Sequence, residues 1–70
     1  MKRYWLSDVR PIDDFGRSIT NQFFDARTRH GPWAIMSTIS WTLEGCGKLG
    51  TGFGQGYTKQ PDGRWLKTEG

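Results

Sequence analysis

The sequence predicts an α+β fold within one domain, residues 1–70: a turn, a β-hairpin, a short helix, a glycine-rich loop and a C-terminal β-hairpin. Three observations predict it. β-Branched and aromatic residues flank a Gly-Pro turn, a short amphipathic stretch follows a serine, and Pro-Asp-Gly separates two further runs near the C-terminus. Seventy residues barely suffice for a hydrophobic core, and only 34% of them are apolar. The 14% that are aromatic offset this, because each ring buries a large area. Trp5, Phe23, Phe24, Trp33, Trp41, Phe53, Tyr57 and Trp65 span the chain, as expected of one folded unit.

In order, "RPIDDFG" carries Pro11, Asp13, Asp14 and Gly16, the residue types of tight turns, in which the two aspartates serve as caps. "SITNQFFDART" reads as a strand, "RTRHGP" as a hairpin tip and "PWAIMS" as the paired strand. Ser37 is a helix N-cap, since its hydroxyl can accept from an orphan backbone N–H. Ile39, Leu43 and Cys46 recur at i, i+4 and i+7, which places them on one helical face expected to pack inward. Trp33 and Ile39 are accordingly expected in the core. Gly45 or Gly47 ends the helix through a left-handed conformation. In "YTKQPDGRWLKT", Pro61, Asp62 and Gly63 supply the turn of the last hairpin.

The stretch "GCGKLGTGFGQGY" formally contains G-x-G-x-x-G at Gly45, Gly47 and Gly50. A dinucleotide site needs a strand before that motif and a helix after it, and here a helix precedes it. Leu49, Phe53 and Tyr57 recur every four residues among the glycines. The stretch therefore reads as a packed, sharply winding loop.

The formal net charge of +3 permits a nucleic-acid partner without demanding one. A lone cysteine, Cys46, and a lone histidine, His30, make neither a disulfide framework nor a four-ligand metal site. No apolar run approaches the roughly 20 residues needed to cross a bilayer. The expected setting is the cytoplasm, without cofactor, membrane or small-molecule substrate.

The stretches "FFDARTRHGPWAIMS" and "GKLGTGFGQGY" resemble a group of small, mostly uncharacterised phage proteins of treble-clef or zinc-ribbon type. Their pattern runs C-x-x-C-G, then F-x-D-x-x-T-x-x-G-P-W-A-x-M-C-x-x-C, then G-x-G-L-G-T-G-x-G-Q-x-Y. Phe24, Asp25, Thr28, Gly31 to Ala34, Met36, Gly50 to Gly52, Gly54, Gln55 and Tyr57 fall on it. The resemblance implies a treble-clef-like domain in the host cytoplasm, with ligand pairs at Ile12 and Phe15 and at Ser37 and Ser40. None of these four is a thiolate or imidazole, so the expected fold is metal-free, with the apolar pair replacing metal bonding by packing.

Candidate binding residues fall in two stretches. Arg27, Arg29 and His30 sit at the proposed hairpin tip, where they either reach phosphates as a mobile basic finger or merely solvate a loop. Lys2, Arg3 and Trp5 form a basic-aromatic stretch of the kind that holds single strands, or else Trp5 is a core residue. Lys48 in the glycine-rich loop joins them. Catalysis finds little support: Asp13 and Asp14 suit a turn, and Cys46 lies on the apolar helical face, so it meets His30 only through the fold. The chain is expected to be a non-catalytic binding module, with nucleic acid the favoured partner. The alternative is a phage accessory protein that docks on and modulates a host or defence-system complex.

Overall fold

In the computed structural model, which describes residues 1–70, the chain forms β1 (Gln22–Arg27), β2 (Trp33–Ser37), α1 (Thr38–Glu44), β3 (Gly54–Lys59) and β4 (Trp65–Glu69). The four strands make one antiparallel sheet in the order β2-β1-β3-β4. The architecture is α+β, as the sequence predicts. The two hairpins also share a seam, β1 against β3, which no local pattern announces.

Side chains alternate between the faces of a strand, and both faces of β1 are covered. On one face Phe24, Ala26 and Met36 form a buried cluster, joined by Ala34, Trp41 and Leu49. On the other, Phe23 is fully buried and central to a ring cluster. Trp5 and Trp65 meet it edge-on at 5.3 and 5.2 Å between centroids, and Tyr57 stacks on it at 5.2 Å. These are the preferred geometries of aromatic pairs. Trp5 therefore plays the core part of its two readings.

The helix turns a different face inward from the one its periodicity suggests. Ser40 is fully buried and Trp41 stacks on Phe24 at 5.0 Å, while Ile39 is 61% exposed and Leu43 is exposed beside it. Two turns present only one narrow stripe. The stripe taken is the one whose indole stacks on Phe24 and whose Ser40 hydroxyl meets Arg17, which leaves Ile39 and Leu43 outside. Trp33 is likewise 50% exposed, because it opens the outermost strand beyond the reach of both clusters. Ser37 caps the helix as expected, accepting from the Ser40 amide at 3.2 Å. Gly45 ends it in an extended conformation (φ −70°, ψ 159°), not a left-handed one. A side chain at Gly45 would collide with the Trp41 ring.

The first strand begins at Gln22 and not at Ser18, and the glycine-rich loop is shorter than its composition suggests. Its second half, from Gly54, is strand β3. Gly54 and Gly56 pair with Ala26 and Phe24 of β1, and a β-carbon on Gly56 would lie 2.8 Å from the Phe24 ring. Gly54 has φ 139°, which L side chains rarely adopt, and its open Cα face lies against Ala26. Leu49 packs into the core while Tyr57 lies across the sheet in the ring cluster, so the four-residue spacing is not one packed face.

Other segments bond to both margins of the sheet. Along β2 the Ile35 amide donates to Asp14 Oδ2 at 2.7 Å, and the Asp14 amide donates to the Ile35 carbonyl at 3.0 Å. Along β4 the Trp5 amide donates to the Trp65 carbonyl at 2.9 Å, and the Lys67 amide donates to the Arg3 carbonyl at 2.7 Å. No helix is long and apolar enough to cross a membrane.

Candidate functional site

Four polar side chains meet at the junction of the turn and the helix start: Asp13, Arg17, Ser37 and Ser40. Asp13 Oδ1 accepts from the amides of Phe15 and Arg17, both at 2.9 Å, and its Oδ2 accepts from the Ser37 amide at 2.8 Å. Arg17 donates to the Ser40 hydroxyl at 3.2 Å. Burial alone would push the Asp13 carboxyl up. Hydrogen bonding from Ser40, from the Ser37 and Arg17 amides and from the Ser37 side chain outweighs it and holds the group well below the usual carboxylate range.

The turn's contribution to this junction therefore corrects the expectation. Ile12 and Phe15 are 46% and 41% exposed and do not form a packed corner; Asp13 and Arg17 point inward instead. The turn closes with the Asp13 amide donating to the Arg17 carbonyl and the Gly16 amide donating to the Asp13 carbonyl, which aims Asp13 at the helix start. A signal was available: an Asp that begins a tight turn accepts the amide two residues on. No three His, Cys, Asp or Glu side chains come together in a way that would hold a metal ion.

The basic residues converge elsewhere. Arg27, Thr28, Arg29, His30 and Gly31 on one side, with Cys46, Lys48 and Phe53 on the other, line an open depression of about 410 Å³. No carboxylate is among them. Arg27 closes β1; Arg29 and His30 follow in the turn; Lys48 and Phe53 come from the loop between α1 and β3, with the Lys48 ammonium 5.5 Å from the Phe53 ring centroid.

This turn is tied down, unlike the mobile finger of one of its two readings. The Thr28 amide donates to the Pro32 carbonyl at 2.8 Å, the Arg29 amide to the Glu44 carbonyl at 2.8 Å and the Cys46 amide to the Arg27 carbonyl at 3.0 Å. The Arg27 amide in turn donates to the Phe53 carbonyl at 2.9 Å. The end of the helix and the glycine-rich loop thus stitch the turn down, and Arg27 is half-buried. The Arg29 side chain remains 60% exposed, with Glu44 Oε1 at 3.9 Å from its Nε, a loose surface pairing. The Cys46 thiol donates to the Lys48 carbonyl at 3.3 Å.

Of the predicted binding residues, the structure gathers Arg27, Arg29, His30 and Lys48 and leaves the others apart. Arg3 lines a separate depression with Lys67 and Glu69, Lys2 is exposed, and Trp5 lies in the ring cluster. Phe53 belongs to the basic depression although its spacing suggested only packing. Asp25 lies on the ring-cluster face of β1, where burial and the Asp14 charge push its carboxyl up. No protein-family model, curated protein or solved structure matches the chain.

Proposed function

We propose that the chain is a small, non-catalytic binding module that holds the backbone of nucleic acid in the depression between the β1–β2 turn and the glycine-rich loop. The observation that carries this reading is the convergence of Arg27, Arg29, His30 and Lys48, from two separate segments, around one depression, with Glu44 as a loose neighbour of Arg29 at its margin. Phosphate contacts of this kind supply most of the sequence-independent affinity for nucleic acid. The stitched backbone lowers the cost of ordering these side chains on binding.

A treble-clef ancestry fits the order of hairpin and helix, and the phage origin rests on the sequence resemblance alone. In this reading the Asp13, Arg17, Ser37 and Ser40 cluster stands where the metal of such folds would join turn to helix.

The test is the affinity for a labelled oligonucleotide across a salt series. Replacing Arg27 and Arg29 together by glutamine should make the slope of log K against log salt shallower by about 2. Absence of binding by the parent at low salt overturns the reading. A second reading, an accessory protein that docks on a host or defence complex, is favoured by the exposed apolar face of α1, with Thr38, Ile39, Thr42 and Leu43. It expects a stoichiometric protein partner that survives nuclease treatment.

A further inference from the structure

We infer that the basic depression is selective for single-stranded nucleic acid, with Trp33 as a stacking platform for a base next to the bound backbone. This rests on the nucleic-acid reading above and goes further, to the form of strand recognised.

Two observations carry it. The first is the position of Trp33. It is the one tryptophan of the four that is exposed, at 50%, and it lies directly across the β1–β2 ladder from Arg27, which lines the depression. Directly opposed residues in an antiparallel pair project from the same face, about 5 Å apart at their β-carbons. Three tryptophans are held by other rings or cations: Trp5 and Trp65 by Phe23, Trp41 by Phe24. Trp33 has no such aromatic partner, yet it costs the protein exposed apolar area. An exposed indole one ladder position from an arginine that lines the depression matches the pairing of stacked base and neutralised phosphate in single-strand binders.

The second is the absence of anything shaped to read a duplex. The outward face of α1 carries Thr38, Ile39, Thr42 and Leu43 and no cation, so it offers nothing to the phosphates that flank a major groove. The β1–β2 turn spans only Thr28–Pro32, is bonded to Glu44 through Arg29, and follows an Arg27 bonded to Cys46, too short and too closely held to enter a groove. Bases stack on a protein ring only when they are already unstacked from their neighbours. An exposed indole next to a shallow basic depression therefore gains nothing from paired DNA and a good deal from a loose strand.

The experiment compares a labelled oligothymidine strand with the same strand annealed to its complement, for the parent, Trp33→Ala, Trp33→Phe and the Arg27→Gln/Arg29→Gln double variant. The parent should bind the single strand at least about tenfold more tightly. Trp33→Ala should weaken single-strand binding roughly 5- to 100-fold at an unchanged salt slope, and leave duplex binding as it was. Trp33→Phe should recover most of the loss, and the melting point of each Trp33 variant should stay near the parent's. Equal binding of both forms, or a Trp33→Ala protein that binds the single strand like the parent, overturns the inference. If in that case the arginine double variant still flattens the salt slope, the nucleic-acid reading stands without it. Failure of the parent to bind either form removes both.

Discussion

Asp13 and Ser37 join the two halves of the junction: the Ser37 amide donates to Asp13 Oδ2 at 2.8 Å, while the Ser37 hydroxyl caps the helix at the Ser40 amide. One carboxylate also receives the amides of Phe15 and Arg17, so the turn, the end of β2 and the first turn of α1 are fixed to a single side chain.

Replacing Asp13 by alanine should therefore lower stability by on the order of 3 kcal/mol, since three amides lose a charged acceptor in a buried setting. Asp8→Asn, at an exposed position, should change it by less than about 0.5 kcal/mol. Urea midpoints of the two variants provide the comparison, and a near-parental midpoint for Asp13→Ala would remove this carboxylate from the framework.

The pH dependence has two parts of opposite sign. Asp13 is depressed in the folded state, so its contribution is complete above the unfolded carboxylate value of about 4 and is lost as pH falls toward its lower folded value. Asp25 is raised by burial and by Asp14, so the folded state takes up its proton first and gains stability as pH falls through that raised value. Stability should rise slightly on mild acidification and then drop below about pH 4. In Asp25→Asn the rise should vanish and neutral-pH stability should increase; an unchanged profile would show that Asp25 is not strained.

Gly56→Ala should cost about 1–3 kcal/mol, because the new carbon would press on Phe24 in the core. Thr51→Ala, exposed in the preceding turn, should be nearly silent. Thermal melts separate the two, and a tolerated Gly56→Ala would mean that β3 can drift from β1.

Trp41 and Trp33 should behave in contrast. Truncating Trp41 to alanine removes the ring stacked on Phe24 and should cost about 3–4 kcal/mol, while Trp33→Ala should cost under about 1 kcal/mol. The reverse order in calorimetry would exchange their places in the core.

The legible parts of this fold are those written in local chemistry. Ser37 as a cap, the Gly31-Pro32 and Pro61-Asp62-Gly63 turns and the β-branched and aromatic strands appear in the sequence because each rests on neighbours a few residues away. The β1–β3 seam was hidden because Gly54 and Gly56 look like loop residues; their meaning is the space that Ala26 and Phe24 occupy. The inward face of α1 is not legible because Ser40 is held by Arg17 and Asp13 and Trp41 by one ring, neither of which a count of aliphatic residues weighs. Four of the seven candidate binding residues meet in space, and only the fold could bring Lys48 to the arginines.

A fifth expectation concerns metal. Arg17 places a guanidinium at the junction, where it would repel a dication, and Asp13 is already committed to three amides. Purified protein should carry no stoichiometric zinc by elemental analysis, and chelator should leave its melting point unchanged. Bound zinc at one equivalent would contradict this description of the junction.

The backbone bonds along β2 and β4 also govern how the molecule meets others of its kind. An uncovered strand invites annealing by an extended peptide or by a second copy, the first step of fibril growth. Here Asp14 at one margin and the Arg3–Trp5 segment at the other already occupy those positions. Strand capture is thus opposed at Ile35 and Ser37 on one side and along Trp65–Lys67 on the other, and recognition falls to side chains on the two faces and at the loop end of the sheet.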